Sequence, residues 1–274
     1  MRKTLRHKSI IVGGSIVLFF VVLAIFAPII APYNPQDADL MRSLEPPQKK
    51  YLFGTDVQGR DILSRIIFGA RISLSVGIVV QAISLTIGII MGLLSGFYGG
   101  IIDDIISSIM NIMFSFPSLL FAIAIMAVLG PSLYNIFLAL GIISWPTVAR
   151  LVRGETLSLK KRDFVEASRA LGVHNVSIIF KHILPNCLGP IIVVATLGIA
   201  DAILTEATLS FLGLGIQPPT PSWGSMLSRG REYIWSAPHL VIFPGLAILI
   251  TVLGFNLLGD GLRDLFDPRL KNIK

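Results

Sequence analysis

The sequence has few charged residues for its length and a single cysteine. Asp, Glu, Lys and Arg make up 14% of its 274 residues, whereas a soluble domain carries about 25%. Because 53% of the residues are hydrophobic, we predict one polytopic membrane domain rather than two soluble domains. The lone Cys187 excludes an intrachain disulfide and a multi-cysteine metal site, and its apolar neighbours favour a packing role over a reactive thiol.

The sequence also lacks the motifs that carry nucleotide or metal chemistry. It contains no G-x-x-x-x-G-K-[ST] phosphate-binding loop and no H-E-x-x-H zinc motif. No Ser/His/Asp spacing indicates a hydrolase. We therefore predict that the chain is not an enzyme and binds neither a metal ion nor a nucleotide itself. The four histidines are scattered over loops and helix ends: His7, His174, His182 and His239.

Long uncharged runs predict an all-α membrane protein with six transmembrane helices. The first span is predicted over 9–31, and its apolar part exceeds the roughly 7–15 residues of a signal-peptide core, which favours a retained span over a cleaved signal. Residues 105–149 contain no Asp, Glu, Lys or Arg, are long enough for two helices and are interrupted at Pro131. A kink is expected at Pro117. The six spans are predicted at about 10–31, 72–96, 104–129, 133–149, 185–212 and 240–258.

The charge distribution predicts which side of the membrane each connecting segment occupies. Fifteen of the 23 Lys and Arg residues lie in the two termini and in the loop between the fourth and fifth spans. Cytoplasmic segments carry such an excess, so both termini are predicted to be cytoplasmic. The predicted organisation is a cytoplasmic N-terminus at 1–8, an extracytoplasmic loop at 32–71, a permease core at 72–260 with a cytoplasmic loop at 150–182, and a cytoplasmic tail at 261–274.

The end of the extracytoplasmic loop predicts an amphipathic helix at the membrane surface. Asp61 and Arg65 are four residues apart and would form a pair on one face of this helix. Ile62, Ile66 and Ala70 would face the other way, towards the lipid.

Two stripes of residues recur at helical spacing. Ser84, Gly88, Gly92 and Gly96 repeat every four residues, which predicts a ridge for close helix packing rather than a substrate contact. The second stripe is polar and follows the third span in steps of four, three and four residues. It indicates a pore wall, with helix–helix hydrogen bonding as the alternative. Its members are Asp104, Ser108, Asn111 and Ser115.

Two carboxylates lie within the fifth span, where an ionisable group is costly and usually functional. Asp201 and Glu206 are five residues apart, about 140° around a helix, so they cannot act as a pair on one face. One interpretation is that they line or gate a translocation path. The alternatives are a hydrogen bond to a neighbouring helix or, for Glu206, a position near the outer interface.

The longest charged segment, RDFVEASRALGVHNVSIIFKHILP, begins at Arg162 and lies between two apolar runs. Asp163 is predicted to cap a short helix, with Glu166 reaching back to its free N–H groups, and Gly172 to end it in a left-handed conformation. An apolar ridge is predicted at Phe164, Ala167 and Leu171. A second helix is predicted with Val176, Ile179, Phe180 and Ile183 on one face and a break at Pro185.

This segment resembles the EAA loop of permease subunits of ATP-binding-cassette (ABC) importers, in which E-A-A, a later Gly and a terminal I-x-L-P recur. Two positions depart from that motif, since Ser168 replaces the second Ala and His182 replaces the Ile. The matching positions are Glu166, Ala167, Ser168, Gly172, Leu184 and Pro185. The resemblance implies that Glu166 and Gly172 act in coupling to an ATPase within a coupling helix formed by Asp163, Phe164, Val165, Glu166, Ala167, Ser168, Arg169, Ala170, Leu171 and Gly172.

Three further blocks, LFGTDVQGRDILSRIIFGARISL, LSFLGLGIQPPTPSWG and FNLLGDGLRDLFDPRL, resemble the second permease subunit of the dipeptide/oligopeptide/nickel branch of ABC importers. The resemblance implies a type I permease fold in the cytoplasmic (inner) membrane and a heterodimer with a homologous permease. It also implies two cytoplasmic ATPases that bind ATP and Mg, and an external substrate-binding protein. Peptides are the expected cargo, with nickel, a metallophore or glutathione as alternatives. A secondary transporter would require inverted repeats, which the sequence does not show.

Overall fold

The fold of residues 2–266 is described by a computed structural model, with side chains described from residue 8 onwards. Within this range the chain is helical and contains no β-strand, only an isolated bridge between Thr55 and Asp61. The predicted tail beyond Phe266 lies outside the described residues. The helices are α1 (Arg2–Ile25), α2 (Ala27–Ile30), α3 (Ile62–Tyr98), α4 (Gly100–Ser115), α5 (Ser118–Leu129), α6 (Leu133–Leu159), α7 (Asp163–Ala170), α8 (Asn175–Ile178), α9 (Leu184–Phe211), α10 (Trp223–Gly230) and α11 (His239–Phe266).

Five helical segments in the described part of the chain are long and apolar enough to cross a membrane: Lys8–Ile25 of α1, α3, α6, the run Asn175–Phe211, and α11. The pair α4 and α5 passes the same test together but is bent by 89°. The bend falls at Pro117, as predicted, because proline has no N–H for a helical hydrogen bond. Counting the bent pair as one span gives the predicted six.

The predicted surface helix near residue 62 is wrong, because these residues form the first turns of the long helix α3. Asp61 caps α3, and its Oδ2 accepts a hydrogen bond from Ser64 N at 2.7 Å. Arg65 does not face water; its Nε lies 3.4 Å from Asp56 Oδ2 and its Nη1 donates to Pro35 O at 2.9 Å. With its charge met inside the protein, this segment packs into the bundle and no surface face remains. The residues predicted to face lipid, Ile62, Ile66 and Ala70, are buried.

Two other predicted boundaries are too short. Helix α6 continues past residue 149 to Leu159, and α11 continues to Phe266. Both extensions contain charged residues but no proline, so the helices continue beyond their apolar parts. The loop between the fourth and fifth spans is therefore shorter than 150–182.

Helices α3 and α6 pack against each other through the predicted glycine ridge. A Cβ atom added at Gly92 would lie 2.7 Å from Ala149 O and 2.7 Å from Val152 Cβ. Gly88 and Gly96 make equally close approaches to α6. Atoms of the α6 backbone and of β-branched side chains cannot withdraw, so only glycine permits this distance. The packing role predicted for these glycines is confirmed.

Gly92→Leu should destabilise the chain by forcing α3 and α6 apart. Overpacking a close contact costs roughly 1–3 kcal/mol, which corresponds to a loss of about 5 °C in melting temperature for a domain of this size. The measurement is thermal unfolding of the detergent-purified protein. Gly154→Leu on α6 is the matched control, since no atom lies within 4 Å of a Cβ at Gly154. Equal melting temperatures for the two variants would contradict the packing assignment.

The segment after α7 differs from its predicted amphipathic pattern. Ile178, Ile179 and Ile183 are buried, whereas Val176 and Phe180 are 48% and 60% exposed. The predicted shared face is wrong because the five consecutive residues Ile179–Ile183 form a π-helical turn that rotates the chain before α9. The predicted break at Pro185 is also wrong. This proline lies in the first turn of α9, where its missing N–H costs little.

Candidate functional site

Helix α7 is held against the bundle by one narrow face. Val165 is fully buried and Ser168 is 9% exposed. Val165 belongs to an apolar cluster with Phe97 at the end of α3 and with Ile178 and Ile183 at the entry to α9. A movement of α7 would therefore be transmitted to the ends of two membrane-spanning helices.

Both ends of α7 are defined by backbone geometry. The N-cap is Arg162, without a side-chain hydrogen bond, so the prediction that Asp163 caps the helix is wrong. Asp163 and Glu166 instead lie in the first turn, where negative charge is favoured by the helix dipole. At the other end, Gly172 has φ +75°, as predicted, and Val173 N–H donates to Ser168 O at 3.1 Å. This is the Schellman type of helix ending.

The outward side of α7 carries the predicted apolar ridge. Phe164 is 43% exposed and Leu171 is 84% exposed, with Ala167 exposed between them. Glu166 and Arg169 are exposed beside the ridge. The structure thus presents a short helix that buries Val165 on one side and exposes the ridge of Phe164, Ala167 and Leu171 on the other. The remaining predicted coupling residue, Ala170, is exposed as well.

A second polar arrangement, which the sequence analysis did not identify, joins α3, α4 and α6. Arg153 of α6 donates from Nε to Asp103 Oδ1 at 2.6 Å and from Nη2 to Asp103 Oδ2 at 2.7 Å. The same carboxylate accepts hydrogen bonds from Ser95 of α3 and Ser107 of α4. Nearby, Lys160 Nζ donates to Gly96 O, near the end of α3, at 2.8 Å. This clamp fixes the ends of three helices close to α7.

Removing either partner of the Asp103–Arg153 pair should destabilise the bundle. The pair is bidentate and partly exposed, with side chains 18% and 32% accessible. We expect a coupling free energy of about 1–2 kcal/mol, between the values for exposed and buried pairs. The measurement is a double-mutant cycle of Asp103→Ala and Arg153→Ala in chemical unfolding. Asp104→Ala, next to the pair, should leave stability unchanged. Additive effects of the two single substitutions would contradict the clamp.

A cavity of about 670 Å³ lies between α3, α6, α9 and the α4–α5 bend. Asp201 of α9 lines it, together with Gln81 and Ser84 of α3 and Ser144 of α6. Phe114, Phe116 and Ser118 at the bend form a further part of its wall. Among the described side chains, no group of three His, Cys, Asp or Glu residues could hold a metal ion.

The two carboxylates of α9 occupy different environments. Glu206 is fully buried, and its Oε1 accepts a hydrogen bond from Ser210 Oγ at 2.7 Å on the same helix. It does not line the cavity, and the side chain of Ser222, at the start of α10, is a second hydrogen-bonding neighbour. Asp201 is exposed to the cavity, and no ion pair reaches it from residues 8–266. A path role for Asp201 stays a prediction.

The polar stripe of α4 lies on the exposed surface of the described chain. Ser108 Oγ donates to Asp104 O at 2.7 Å, and Ser115 Oγ donates to Asn111 O at 2.8 Å. Both hydroxyl protons are thus used within α4. Within the described residues, the four members of the stripe do not line the cavity. Their role in a path also stays a prediction.

In the predicted extracytoplasmic region, Asp56 pairs with Arg60 and Arg65, and Arg229 lies nearby. Arg60 Nη2 lies 2.6 Å from Asp56 Oδ2, and Arg65 and Arg229 lie against the same small cavity. Burial lowers the pKa of the Arg229 guanidinium, and the positive charge of Arg60 lowers it further.

Comparisons with known proteins agree with this geometry. Residues 84–272 match the family described as binding-protein-dependent transport system inner membrane component, and residues 1–47 match the N-terminal TM domain of oligopeptide transport permease C. Dipeptide transport system permease protein DppC of Alkalihalophilus pseudofirmus is 49% identical over 267 residues, covering 97% of this chain and 88% of its own length. Di/tripeptide transport system permease protein DppC of Pseudomonas aeruginosa is 47% identical, covering 97% of this chain and 90% of its own length.

Glutathione transport system permease protein GsiD of Shigella flexneri is 47% identical over 271 residues, covering 98% of this chain and 89% of its own length. Among solved structures, an inward-facing MetNI methionine ABC transporter aligns with a TM-score of 0.60, over 74% of this chain and 96% of that chain. At 21% identity this likeness shows the fold alone. The predicted family and the predicted permease fold are both confirmed. The chain therefore belongs to the family of binding-protein-dependent transport system inner membrane components, and it is a multi-pass inner-membrane permease subunit of an ABC importer.

Proposed function

We propose that this chain forms half of the translocation path of an ATP-driven peptide importer. The relatives named above are permeases for dipeptides, di/tripeptides and glutathione, which share a peptide bond and an α-amino group. Dipeptides are the favoured cargo because the relatives named for them include the one with 49% identity. Nickel and metallophores remain the weaker alternative.

The proposed assembly is a heterodimer with a homologous permease, two cytoplasmic ATPases and an extracytoplasmic substrate-binding protein. The chain itself is proposed to be non-catalytic, with ATP and Mg bound by the ATPases. Both of its termini, and α7, are proposed to be cytoplasmic. The single observation that carries this proposal is α7: its apolar ridge faces outward, while Val165 ties it to α3 and α9.

Coupling would work through this mechanical connection. An ATPase can shift the permease between two states only if it binds them with different free energy. A capped helix with defined ends moves as one body, whereas a flexible loop would absorb the displacement. Movement of α7 would displace the cluster at Val165 and, through it, the ends of the helices around the cavity. In this way, ATP binding and hydrolysis would alternate access to Asp201.

Reconstitution tests the proposed function. The complete importer is placed in proteoliposomes, and uptake of a radiolabelled dipeptide is measured with ATP on the ATPase side. We expect uptake to require both ATP and the loaded binding protein. Importers whose ATPases carry a substituted phosphate-loop lysine serve as the control and should be inactive. Uptake driven by an ion gradient without the ATPases would refute the proposal.

Cysteine labelling tests the proposed side of the membrane. Ala167→Cys is introduced into a Cys187→Ala background, because Ala167 is exposed whereas Cys187 is buried. An impermeant maleimide should label inside-out vesicles and not intact spheroplasts. Labelling from outside the cell would exclude coupling through α7.

A further inference from the structure

Two polar side chains that line the cavity are buried without a hydrogen-bond partner. Gln81 is 4% exposed and Ser84 is 1% exposed. Gln81 Nε2 and Ser84 Oγ contact no donor or acceptor among the described residues. Buried polar groups are nearly always satisfied in native proteins. Two such groups one helical turn apart on α3, in the wall of one cavity, therefore indicate a bound polar molecule.

Asp201 provides the opposite kind of group at the same level of the cavity. Gln81 Oε1 packs so closely on Gly198 that an added Cβ would collide with it. Gly198 and Asp201 are three residues apart on α9, about 4.5 Å along the axis and on one side of the helix. The cavity wall thus combines a carboxylate with an amide N–H₂ group and a hydroxyl group. Within residues 8–266 this carboxylate has no cationic partner.

We propose that this cavity is a transient cargo site for the zwitterionic end of a peptide. Asp201 accepts the α-ammonium group, while the Gln81 amide and the Ser84 hydroxyl donate hydrogen bonds to a carbonyl or carboxylate oxygen of the same molecule. The absence of a Cβ at Gly198 lets Gln81 pack against α9 about one helical turn from Asp201. This inference rests on the proposed function, because it names the chemistry that the path recognises.

The arrangement also predicts a weak site rather than a tight one. Asp201 is exposed to the cavity, so water screens its attraction for an ammonium group. A transporter must release its cargo after each cycle, and a half-exposed contact permits this. A basic side chain of the partner permease is the competing occupant, since it could also neutralise Asp201. If the occupant is peptide cargo, the empty cavity carries the negative charge of Asp201. If the occupant is a basic side chain of the partner permease, the cavity is neutral.

Labelling a cavity thiol with charged reagents distinguishes the two occupants, and it requires no transport assay. Ser144→Cys, in the Cys187→Ala background, places one thiol in the cavity wall of the complete importer in membrane vesicles. A cationic methanethiosulfonate, the trimethylammonium-ethyl reagent, is compared with the anionic sulfonatoethyl reagent. With Asp201 unpaired, we expect the cationic-to-anionic rate ratio at this thiol to exceed the ratio for a free thiol on the order of tenfold, and to fall to the free-thiol value in Asp201→Asn. Asp260→Asn on α11, an exposed carboxylate outside the cavity, should not change it. A ratio that already equals the free-thiol value with Asp201 present would overturn the proposal in favour of a carboxylate paired with a cation.

Uptake kinetics provide the second measurement. Asp201→Asn should lower the maximum rate of dipeptide uptake several-fold and leave the half-saturating concentration of loaded binding protein unchanged. Asp201→Glu should restore part of the rate, because the charge is retained. Full uptake by Asp201→Asn would overturn the site. If the unsubstituted importer takes up no dipeptide with ATP, the proposed function fails instead, while the labelling ratio still reports on the cavity.

Discussion

Gly172→Val should abolish ATP-driven uptake while leaving the chain inserted in the membrane. Gly172 has φ +75°, and no atom lies within 4 Å of a Cβ added there. The cost is therefore conformational, about 1–3 kcal/mol for a β-branched residue in the left-handed region. Relaxing this strain would undo the Schellman ending and displace Leu171 from the ridge. The measurements are dipeptide uptake in proteoliposomes and membrane content by immunoblot.

Matched substitutions separate backbone strain from a loss of side-chain space. Gly172→Asn should retain a substantial part of the uptake, because asparagine tolerates positive φ better than valine. Gly154→Val, at an uncrowded site on α6, should retain full uptake. Normal transport by Gly172→Val would remove the helix ending from the coupling mechanism.

Glu166→Lys should abolish uptake in the same assay through charge. Glu166 is exposed in the first turn of α7, so the substitution places a cation where the helix dipole disfavours it and reverses the charge next to the ridge. Glu166→Gln should be milder, because it removes the charge without reversing it. Uncoupling predicts that basal ATP hydrolysis survives in Glu166→Lys but is no longer stimulated by loaded binding protein.

Trp223→Ala should cause the largest loss of stability in the chain. Trp223 is fully buried, and it has the largest volume of the described side chains that are less than 2% exposed. Its Nε1 donates to Ile66 O at 3.0 Å, its ring lies 5.5 Å from that of Phe20, and it fills the space beside Gly69. Truncating such a residue costs about 3–5 kcal/mol. We expect a much lower melting temperature in detergent and a reduced yield of folded protein.

Trp223→Phe separates packing from hydrogen bonding. It retains most of the apolar volume but leaves Ile66 O without the indole donor, so its cost should be about 1–3 kcal/mol. Trp235→Ala is the control, since Trp235 is 96% exposed and its loss should not affect stability. If Trp223→Ala and Trp235→Ala melted at the same temperature, the packing role of Trp223 would be refuted.

Local patterns were enough to predict much of the candidate site. The four-residue spacing of Gly88, Gly92 and Gly96 predicted close packing, because small residues at that spacing share one helix face. Gly172 was predicted to end a helix because glycine alone accepts left-handed φ without cost. Pro117 was predicted to kink its span for a similarly local reason, the missing N–H.

Features that depend on distant partners were missed or wrongly assigned. The Asp103–Arg153 pair joins residues 50 positions apart, and no spacing rule connects two helices. Arg65 was placed at a membrane surface because its spacing from Asp61 predicted a pair on the polar face of an amphipathic helix. In the folded chain Arg65 instead pairs with Asp56 and donates a hydrogen bond to Pro35 O, so the helix begins inside the protein. Burial of a charge depends on its partners, which a local pattern does not contain.

The sequence by itself determined the membrane class, the uncharged runs that form the spans, the resemblance to the permease family and the position of helix α7. The membrane class, the spans and the helix position follow from properties of neighbouring residues: uncharged length, helical periodicity and the special backbones of glycine and proline. The family follows from the resemblance of the sequence blocks. Only the tertiary structure decided which polar residues meet. It buried Glu206 against Ser210, exposed Asp201 to a cavity beside Gln81, and turned the polar stripe of α4 to the surface. The physical reason is that a side chain's environment is set by the helices packed around it, and those helices are far away along the chain.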